Sequence, residues 1–269
     1  LGNELMSFAD GSSYLHTNMP YQIYNGVAAS DGSQAINGAG RRMDTIYKDM
    51  QMIGFSDGSS WGTWGDLSQN LVVPAQGSDG SEAMFMGGNP LDGTDFPTDV
   101  VEKVSFSSQA TRGTHGGLDT AVHSPCSGSN GDSMIMFGGT FKWAQSGFTN
   151  KVQKASFASN ATAQVTGTFG SGSVGRSTGS NSVIILAMGH DPYTGTLIDS
   201  ISFDDVAIKT SYPTGSQVNN YDTASDGSNL IGKTGTSSIK ISFDAGSTSS
   251  SFGSPSFGGL AGNAVSGTP

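Results

Sequence analysis

Histidine and cysteine are the side chains that most often hold transition metals, and this chain contains few of them. Its four histidines are His16, His115, His123 and His190, and its single cysteine is Cys126. Only His123 is close to the cysteine in sequence. Residues three apart on an extended strand point to opposite faces, so His123 and Cys126 are not expected to share a metal ion. The sequence therefore predicts no metal and no other cofactor, and a small buried thiol at Cys126.

Paired carboxylates could hydrolyse glycosidic bonds if two of them faced each other about 5 to 9 Å apart. Asp92, Asp95 and Asp99 share one polar loop, while Asp204 and Asp205 follow a short strand. Neither group places one acid opposite another, so solvated loop acids are the favoured interpretation. Calcium binding by the 92–99 loop is an alternative, although the loop lacks the spacing of an EF-hand.

Arginine is also sparse, at positions 41, 42, 112 and 176. A sialidase needs three arginines around the carboxylate of its substrate, and two of these four are adjacent in sequence. The segment FSDGSSWGTW at 55–64 only mimics the repeated box of sialidases, because its Ser, Asp and Gly are contiguous. The sequence does not favour a sialidase site.

Composition and charge limit the class of partner. The 269 residues include 40 glycines, only 13% are charged, the net charge is -10 and the pI is near 4.5. Without a basic stripe, the chain is not expected to bind nucleic acid. No apolar run approaches the roughly 18 residues of a membrane-spanning helix, so membrane insertion is not expected. An acidic surface rich in Gly, Ser and Thr is expected of a protein outside the cell or on a particle.

A short pattern returns five times, at intervals of 45 to 51 residues. Its copies begin at 29, 77, 128, 179 and 224, and read ASDGSQAINGAG, GSDGSEAMFMGG, GSNGDSMIMFGG, GSNSVIILAMG and ASDGSNLIGKTG. Asp-Gly between short apolar runs predicts a tight hairpin turn, because glycine readily adopts positive φ. The apolar run predicts a strand covered on both faces, and the glycine pair predicts a sharp turn or a close backbone approach.

A second recurring strand follows each variable loop. Its copies VVEKVSF, KVQKASF, LIDSISF and SSIKISF place a phenylalanine at 106, 157, 203 and 243. One aromatic position repeated in four units predicts packing between neighbouring units rather than four active sites. Helix signals are almost absent, and four short strands in a unit of about 48 residues is the size of a propeller blade.

The pattern SDGSEAMFMGG…VVEKVSF…GGL resembles the kelch motif, and Trp64 lies where kelch repeats carry a tryptophan. The other units lack that tryptophan. The polar repeats are also similar to repeat proteins of tailed bacteriophages, particularly marine cyanophages, that serve as virion structural proteins. The resemblance implies an all-β, kelch-like β-propeller and a role in a virion. Kelch-type copper oxidases need a Cys-Tyr crosslink and two histidine ligands, which the scattered histidines do not supply.

The units define one domain over residues 1–269. They are expected near 24–69, 70–120, 121–171, 172–216 and 217–256. Residues 1–23 match the second half of a unit, since NELMSF resembles VEKVSF, and 257–269 match the start of one. We therefore expect about six blades of four short antiparallel strands, with the closing blade shared by the two terminal segments. The Gly-Gly strand of that blade is missing from these segments and would be absent or donated by another chain. A five-bladed ring with loose ends is the alternative.

The loop after the glycine pair differs from unit to unit, and function in repeat proteins usually resides on such loops. Its aromatic residues are the candidate binding residues: Phe96, Phe141, Trp143, Phe148 and Tyr193. Exposed aromatics beside Asp and Asn suit stacking on sugars or a flat protein interface. Alternatively, these rings pack the loops onto the ring of blades.

These observations lead to an expected function without catalysis. The chain is expected to be a structural protein of a virion, such as a phage tail or capsid decoration. Its partners would be other virion proteins, copies of itself or a glycan of the host surface. A carbohydrate-binding or adhesin module of a bacterial cell-surface protein is the first alternative, and a propeller glycosidase or oxidase is the second.

Overall fold

The computed structural model of the chain consists of strands and the turns and loops between them. It describes residues 2–6, 13–18, 25–42, 45–56, 60–90, 96–108, 111–141, 147–159, 161, 163–168, 177–188, 197–213, 222–234, 237–244 and 248–249. Within these ranges there is no helix, and so none that could cross a membrane.

In the part of the chain that the structure describes, the strands form one two-stranded sheet and five four-stranded sheets, all antiparallel. The two-stranded sheet pairs β1 (Gly2–Met6) with β2 (Ser13–Asn18). The first four-stranded sheet contains β3 (Val27–Ser30), β4 (Gln34–Arg42), β5 (Thr45–Gly54) and β6 (Ser60–Asp66). The second contains β7 (Ala75–Ser78), β8 (Glu82–Met86), β9 (Val100–Ser105) and β10 (Thr111–Gly117).

The other three sheets repeat the same order of strands. The third contains β11 (Cys126–Ser129), β12 (Ser133–Phe137), β13 (Lys151–Ser156) and β14 (Gln164–Thr168). The fourth contains β15 (Ser177–Ser180), β16 (Ile184–Met188), β17 (Leu197–Ser202) and β18 (Ile208–Pro213). The fifth contains β19 (Asp222–Ser225), β20 (Asn229–Thr234), β21 (Ser237–Ser242) and β22 (Thr248–Ser249).

The four-stranded sheets are the blades of a β-propeller. Their first strands contact one another in succession, β3 with β7, β7 with β11, β11 with β15 and β15 with β19, and so line a common axis. Each sheet continues outward through its second, third and fourth strands. The prediction of an all-β propeller built from four-stranded antiparallel blades is confirmed. The C-terminal segment 257–269, which is expected to complete a closing blade, lies outside the described residues.

The apolar core lies between successive blades, which explains the continuous apolar runs. On β8, Phe85 packs with the first blade in one buried cluster, whereas the adjacent Met84 packs with the third blade in another. Alternate residues of such a strand therefore face opposite neighbours, and both faces are covered. The recurring phenylalanines follow the same rule: Phe106 and Phe157 are each buried against the blade that precedes their own. Packing between units, the predicted role of this position, is confirmed.

The repeated hairpin turn is organised by the side chain of its first residue. Asp79 Oδ1 accepts hydrogen bonds from the backbone amides of Ser81 and Glu82, both at 2.7 Å. The same pair of bonds recurs at Asp31, Asn130, Asn181 and Asp226. Gly80 has φ +84°, as the predicted turn requires, but the turn at Asn181 has no glycine and no positive φ. The Asp or Asn side chain is the feature shared by all five turns.

The inner strands are joined by side chains that reach the backbone of the preceding blade. Ser180 Oγ accepts from the Ser129 amide at 3.1 Å and donates to the Ser129 carbonyl at 2.8 Å. Ser127 Oγ makes the same two bonds with the backbone of Gln76, both at 2.9 Å. Equivalent side-chain bonds come from Gln76, Thr178, Thr223 and Ser225. We call this set the inner-strand ladder.

Candidate functional site

Two sets of loops meet on one face of the propeller. The first set follows the glycine pairs, and the second connects the last strand of a blade to the first strand of the next. Gly88 N donates to the carbonyl of Val122 at 2.8 Å, and Thr140 and His123 form a backbone bridge. A Cβ on Gly87 would lie 2.5 Å from the Val122 oxygen, so only glycine permits this approach. The close approach predicted at the glycine pair is confirmed, and we call this face the loop face.

The loop face contains a cleft beside the second blade, with a volume of about 490 Å³. It is lined by the loop between β8 and β9, the loop between β10 and β11, and Gln69 from the loop between β6 and β7. Gln69 Nε2 donates to Thr98 Oγ1 at 3.1 Å, which ties two of these loops together. The amide of Leu118 donates to the carbonyl of Asp99 at 2.7 Å and ties the third loop to them.

An aromatic ring and two carboxylates surround the cleft. Phe96 is 60% exposed, whereas Leu118 beside it is buried and gives the cleft an apolar patch. The carboxylate of Asp99 makes no hydrogen bond within the described residues. Asp119 Oδ2 lies 3.4 Å from Lys151 Nζ, in an ion pair about half exposed on both sides. The cleft can therefore offer a ring face and acidic hydrogen-bond acceptors.

The predicted aromatic residues are only partly placed by the structure. Phe96, Phe141 and Phe148 are all exposed, at 60%, 38% and 43% respectively. The ring of Phe141 lies over Gly147, where an added Cβ would come 3.3 Å from its Cδ2 atom. Phe96 lines the cleft, and Phe141 and Phe148 belong to the corresponding loop of the next blade. Trp143 and Tyr193 lie outside the described residues.

Two buried polar side chains of the third strands, Glu102 and Gln153, join neighbouring blades. The carboxylate of Glu102 is fully buried and accepts two hydrogen bonds from Ser68, one from the backbone amide at 2.8 Å and one from the hydroxyl at 2.7 Å. Gln153 occupies the same register position in the next blade, and bonds the amide and carbonyl of Thr120 at 3.0 and 2.9 Å. In both cases the acceptor reaches back to the loop that ends the preceding blade. The hydrogen bonds of both side chains are therefore satisfied by backbone and hydroxyl groups of the neighbouring blade.

The lysines one position later reach forward instead. Lys103 Nζ donates to the carbonyl of Phe157 and, at 3.1 Å, to that of Ser159. Lys154 Nζ donates to the carbonyl of Phe203 in the following blade at 3.0 Å. Each lysine therefore holds the Ser-Phe corner of its neighbour, and it is not free to bind an anion.

The histidine and cysteine singled out from sequence are both buried. His123 Nε2 lies 2.7 Å from Thr140 Oγ1 and its Nδ1 lies 3.0 Å from Ser124 Oγ, so both ring nitrogens have hydroxyl partners. Cys126 is a buried thiol in the core between the third and fourth blades, as predicted. No group of three or more His, Cys, Asp or Glu is placed to hold a metal within the described part of the chain. Asp92 and Asp95, from the proposed calcium loop, lie outside that part.

Among the described residues, Asp31 and Asp49 have perturbed pKa values, and both lie away from the cleft. Burial raises the pKa of Asp49, and the negative charge of Asp66 raises it further. A hydrogen bond from the backbone amide of Asp49 to its own carboxylate acts in the opposite direction but is outweighed. At Asp31 partial burial acts to raise the pKa, but hydrogen bonds from the amides and side chains of Ser33 and Gln34 prevail and lower it. Both groups belong to the first blade, so neither points to chemistry at the cleft.

Sequence reasoning found one wall of the cleft and missed the others. It singled out Phe96, and it named Asp99 only as a loop acid. Gln69, Leu118 and Asp119 were missed because they belong to loops that connect blades, which vary less visibly than the loop after the glycine pair. The propeller topology was a signal for them, since both sets of loops must leave the blades at the same face.

Comparison with known proteins supports the fold alone. No protein-family model and no curated protein sequence matches the chain. The solved structure of YjhT is similar, with a TM-score of 0.74 over 91% of this chain and 88% of that chain, at 11% sequence identity. At that identity the similarity shows a shared fold and does not extend to activity.

Proposed function

We propose that this chain is a non-enzymatic, kelch-like propeller that presents its loop face to a partner, as a structural protein of a virion. Its partners would be other virion proteins, copies of itself or a glycan on the host surface. The acidic surface, poor in charged residues and rich in Gly, Ser and Thr, supports a place on an extracellular particle.

The observation that carries this proposal is the position of the exposed aromatic rings. Phe96, Phe141 and Phe148 are the exposed phenylalanines among the described residues, and all three lie in loops that follow a glycine pair. Exposed rings on one face of a rigid scaffold favour a binding surface. The buried or partly buried Glu102, Lys103, Gln153 and Lys154 support a structural scaffold, because their side chains bond neighbouring blades.

The experiment is quantitative mass spectrometry of virions purified from cells that produce the chain. We expect the chain in a fixed number of copies per particle, retained after a high-salt wash. Recovery only in the soluble fraction of the producing cells would contradict the virion role.

The cleft favours a second candidate, a carbohydrate-binding or adhesin module of a bacterial surface protein. A cleft with one exposed ring and polar walls suits a sugar as well as a protein. Under this alternative the chain would be found with the cell envelope and would be released by protease treatment of intact cells. Cell fractionation therefore separates it from the virion role.

We also propose that the blades form a six-bladed ring in which β1 and β2 are the outer half of the closing blade. Gln51 supports this arrangement. It is 1% exposed at the register position of Glu102 and Gln153, yet its side-chain amide has no hydrogen-bond partner among the described residues. Since Glu102 and Gln153 reach back to the loop that ends the preceding blade, the equivalent partner of Gln51 would lie in a loop before the first blade. The segment that follows β2 is in the right place in the chain to supply it.

A further inference from the structure

We propose that the cleft of the loop face binds the end of a neutral glycan. In this arrangement one face of a sugar ring stacks on Phe96, and its hydroxyls donate to Asp99 and Asp119. This inference rests on the proposed role of the loop face as a binding surface, and it assigns the class of ligand.

The cleft has the volume of a small-molecule site and is broadly open to solvent. Its volume of about 490 Å³ falls within the roughly 300–1,000 Å³ typical of ligand pockets. Its walls come from three loops, and backbone and side-chain hydrogen bonds at Thr98, Asp99 and Leu118 hold those loops together. A site fixed in this way does not need to be ordered by its ligand, which lowers the entropic cost of binding.

Phe96 supplies the apolar part of the site. A phenylalanine that is 60% exposed leaves apolar area in water that a ligand can cover. A hexose presents C–H bonds on one face and hydroxyls around its edge. The ring of Phe96 can take that face, while the buried Leu118 closes the floor against water.

The two carboxylates supply the polar part. Asp99 has an exposed carboxylate without a partner in the described residues, and no hydrogen bond within them reaches Asp119 Oδ1. A carboxylate is an acceptor only, and the bonds it receives from hydroxyl groups are about twice as strong as neutral ones. Neighbouring hydroxyls of one sugar are suitable donors to such a pair.

Charge selects against acidic sugars. The described residues that line the cleft include no Lys, Arg or His. Lys151 comes near, but its Nζ is held at 2.6 Å from Thr120 Oγ1 and 3.4 Å from Asp119 Oδ2. A sialic acid or a sulfated sugar would bring its anion towards the carboxylate of Asp99, which has no ion pair within the described residues, and towards Asp119, whose charge Lys151 only partly offsets across an exposed pair. A neutral glycan avoids this repulsion.

The test is an array of neutral, sialylated and sulfated glycans, probed with the full chain in buffer containing EDTA so that metal bridging is excluded. The variants are Phe96→Ala and Asp99→Ala, whose side chains are exposed and should leave the melting temperature unchanged. Phe148→Ala is the matched control, because it removes an exposed ring of the loop face outside the cleft.

We expect the wild-type chain and the Phe148→Ala variant to retain neutral glycans equally. Retention should fall at least tenfold in the Phe96→Ala and Asp99→Ala variants. Retention of sialylated or sulfated glycans in preference to neutral ones, an equal loss in Phe148→Ala, or no retention of any glycan by the wild type would each overturn the proposal. A failed array together with stable incorporation into virions would reject the glycan site and leave the proposed function standing.

Discussion

At the scale of single residues, the side chain that begins each turn sets the local geometry. The five turns share an Asp or Asn whose Oδ1 atom takes two backbone amides, whereas one turn has no glycine at all. Asp and Asn make the same bonds, so they differ mainly in charge. At Asp31, whose pKa is lowered in the folded chain, that difference makes the stability of the turn depend on pH.

Asp31 is where this dependence should be measured. Its pKa is lowered in the folded chain, so its ionised form contributes stability above the unfolded pKa of about 3.9, and that stability is lost as pH falls through the folded pKa. The Asp31→Asn variant keeps the turn without the titration. We expect the urea midpoint of the wild type to exceed that of the variant at pH 6, and the difference to shrink or reverse below about pH 4. A constant difference would contradict the assignment, and Asp204→Asn, at an exposed turn, is the control.

Val73 carries backbone strain, because it has φ +47° although it is β-branched. Asn25 and Ser124, the equivalent residues of the adjacent units, have φ +53° and +52°. Val73 N donates to the carbonyl of Asn25, and its own carbonyl accepts from Ser124 N, both at 2.9 Å. The conformation therefore maintains contact between blades. Asn tolerates it better than Val, as the first unit shows.

We expect Val73→Asn to stabilise the protein by about 0.5–1 kcal/mol in chemical denaturation, since it relieves strain without removing a backbone bond. Val165→Asn is the matched control: Val165 is partly exposed on β14 without positive φ, and its replacement should give no gain. A loss of stability in Val73→Asn would mean that packing of the valine outweighs its strain.

At the scale of elements, the inner strands carry small side chains because neighbouring blades approach one another closely there. A Cβ on Gly128 would lie 2.7 Å from Ile185 Cγ1, so the third residue of this strand must be small. The residues on either side of it, Ser127 and Ser129, point to the preceding blade and bond its backbone. Small residues and hydroxyl groups thus alternate, and the inner-strand ladder follows from that alternation.

Removal of one hydroxyl from the inner-strand ladder should cost measurable stability. Ser180→Ala loses both bonds to the backbone of Ser129 and leaves its amide without that partner, for which we expect about 1–3 kcal/mol of destabilisation. Ser182→Ala, two residues along in an exposed turn, should change the denaturation midpoint little. Equal effects of the two substitutions would show that the ladder contributes no specific stability.

The repeat predicted the blades because turns, apolar runs and the Ser-Phe ending are local signals. The inner-strand ladder was not predictable in the same way, since Ser127 bonds Gln76 from 51 residues away and only the ring brings them together. Likewise Phe96 was predicted from the loop after its glycine pair. Asp119 was not predicted, because it lies on a different loop and only the fold brings the two loops together at the cleft.

At the scale of the whole molecule, every connection between blades has a direction. Glu102 and Gln153 reach the preceding blade, whereas Lys103 and Lys154 reach the following one. A blade held from both sides cannot loosen without its neighbours, so a closed ring should unfold in one cooperative transition. In an open arrangement, the first blade has no preceding blade, so its side chains that point in that direction would have no hydrogen-bond partner.

Gln51 distinguishes these two arrangements. In a closed six-bladed ring its amide has a partner in the loop that precedes the first blade, as Gln153 has in Thr120. Gln51→Met would then leave that partner without its hydrogen bond. It should destabilise the protein by about 1–3 kcal/mol, similarly to the control Gln153→Met. In an open ring the same change replaces an unsatisfied buried amide by an apolar group of similar size, and it should be neutral or stabilising. Chemical denaturation of the two variants decides between them, and a stable Gln51→Met protein beside a destabilised Gln153→Met protein would refute the closing blade.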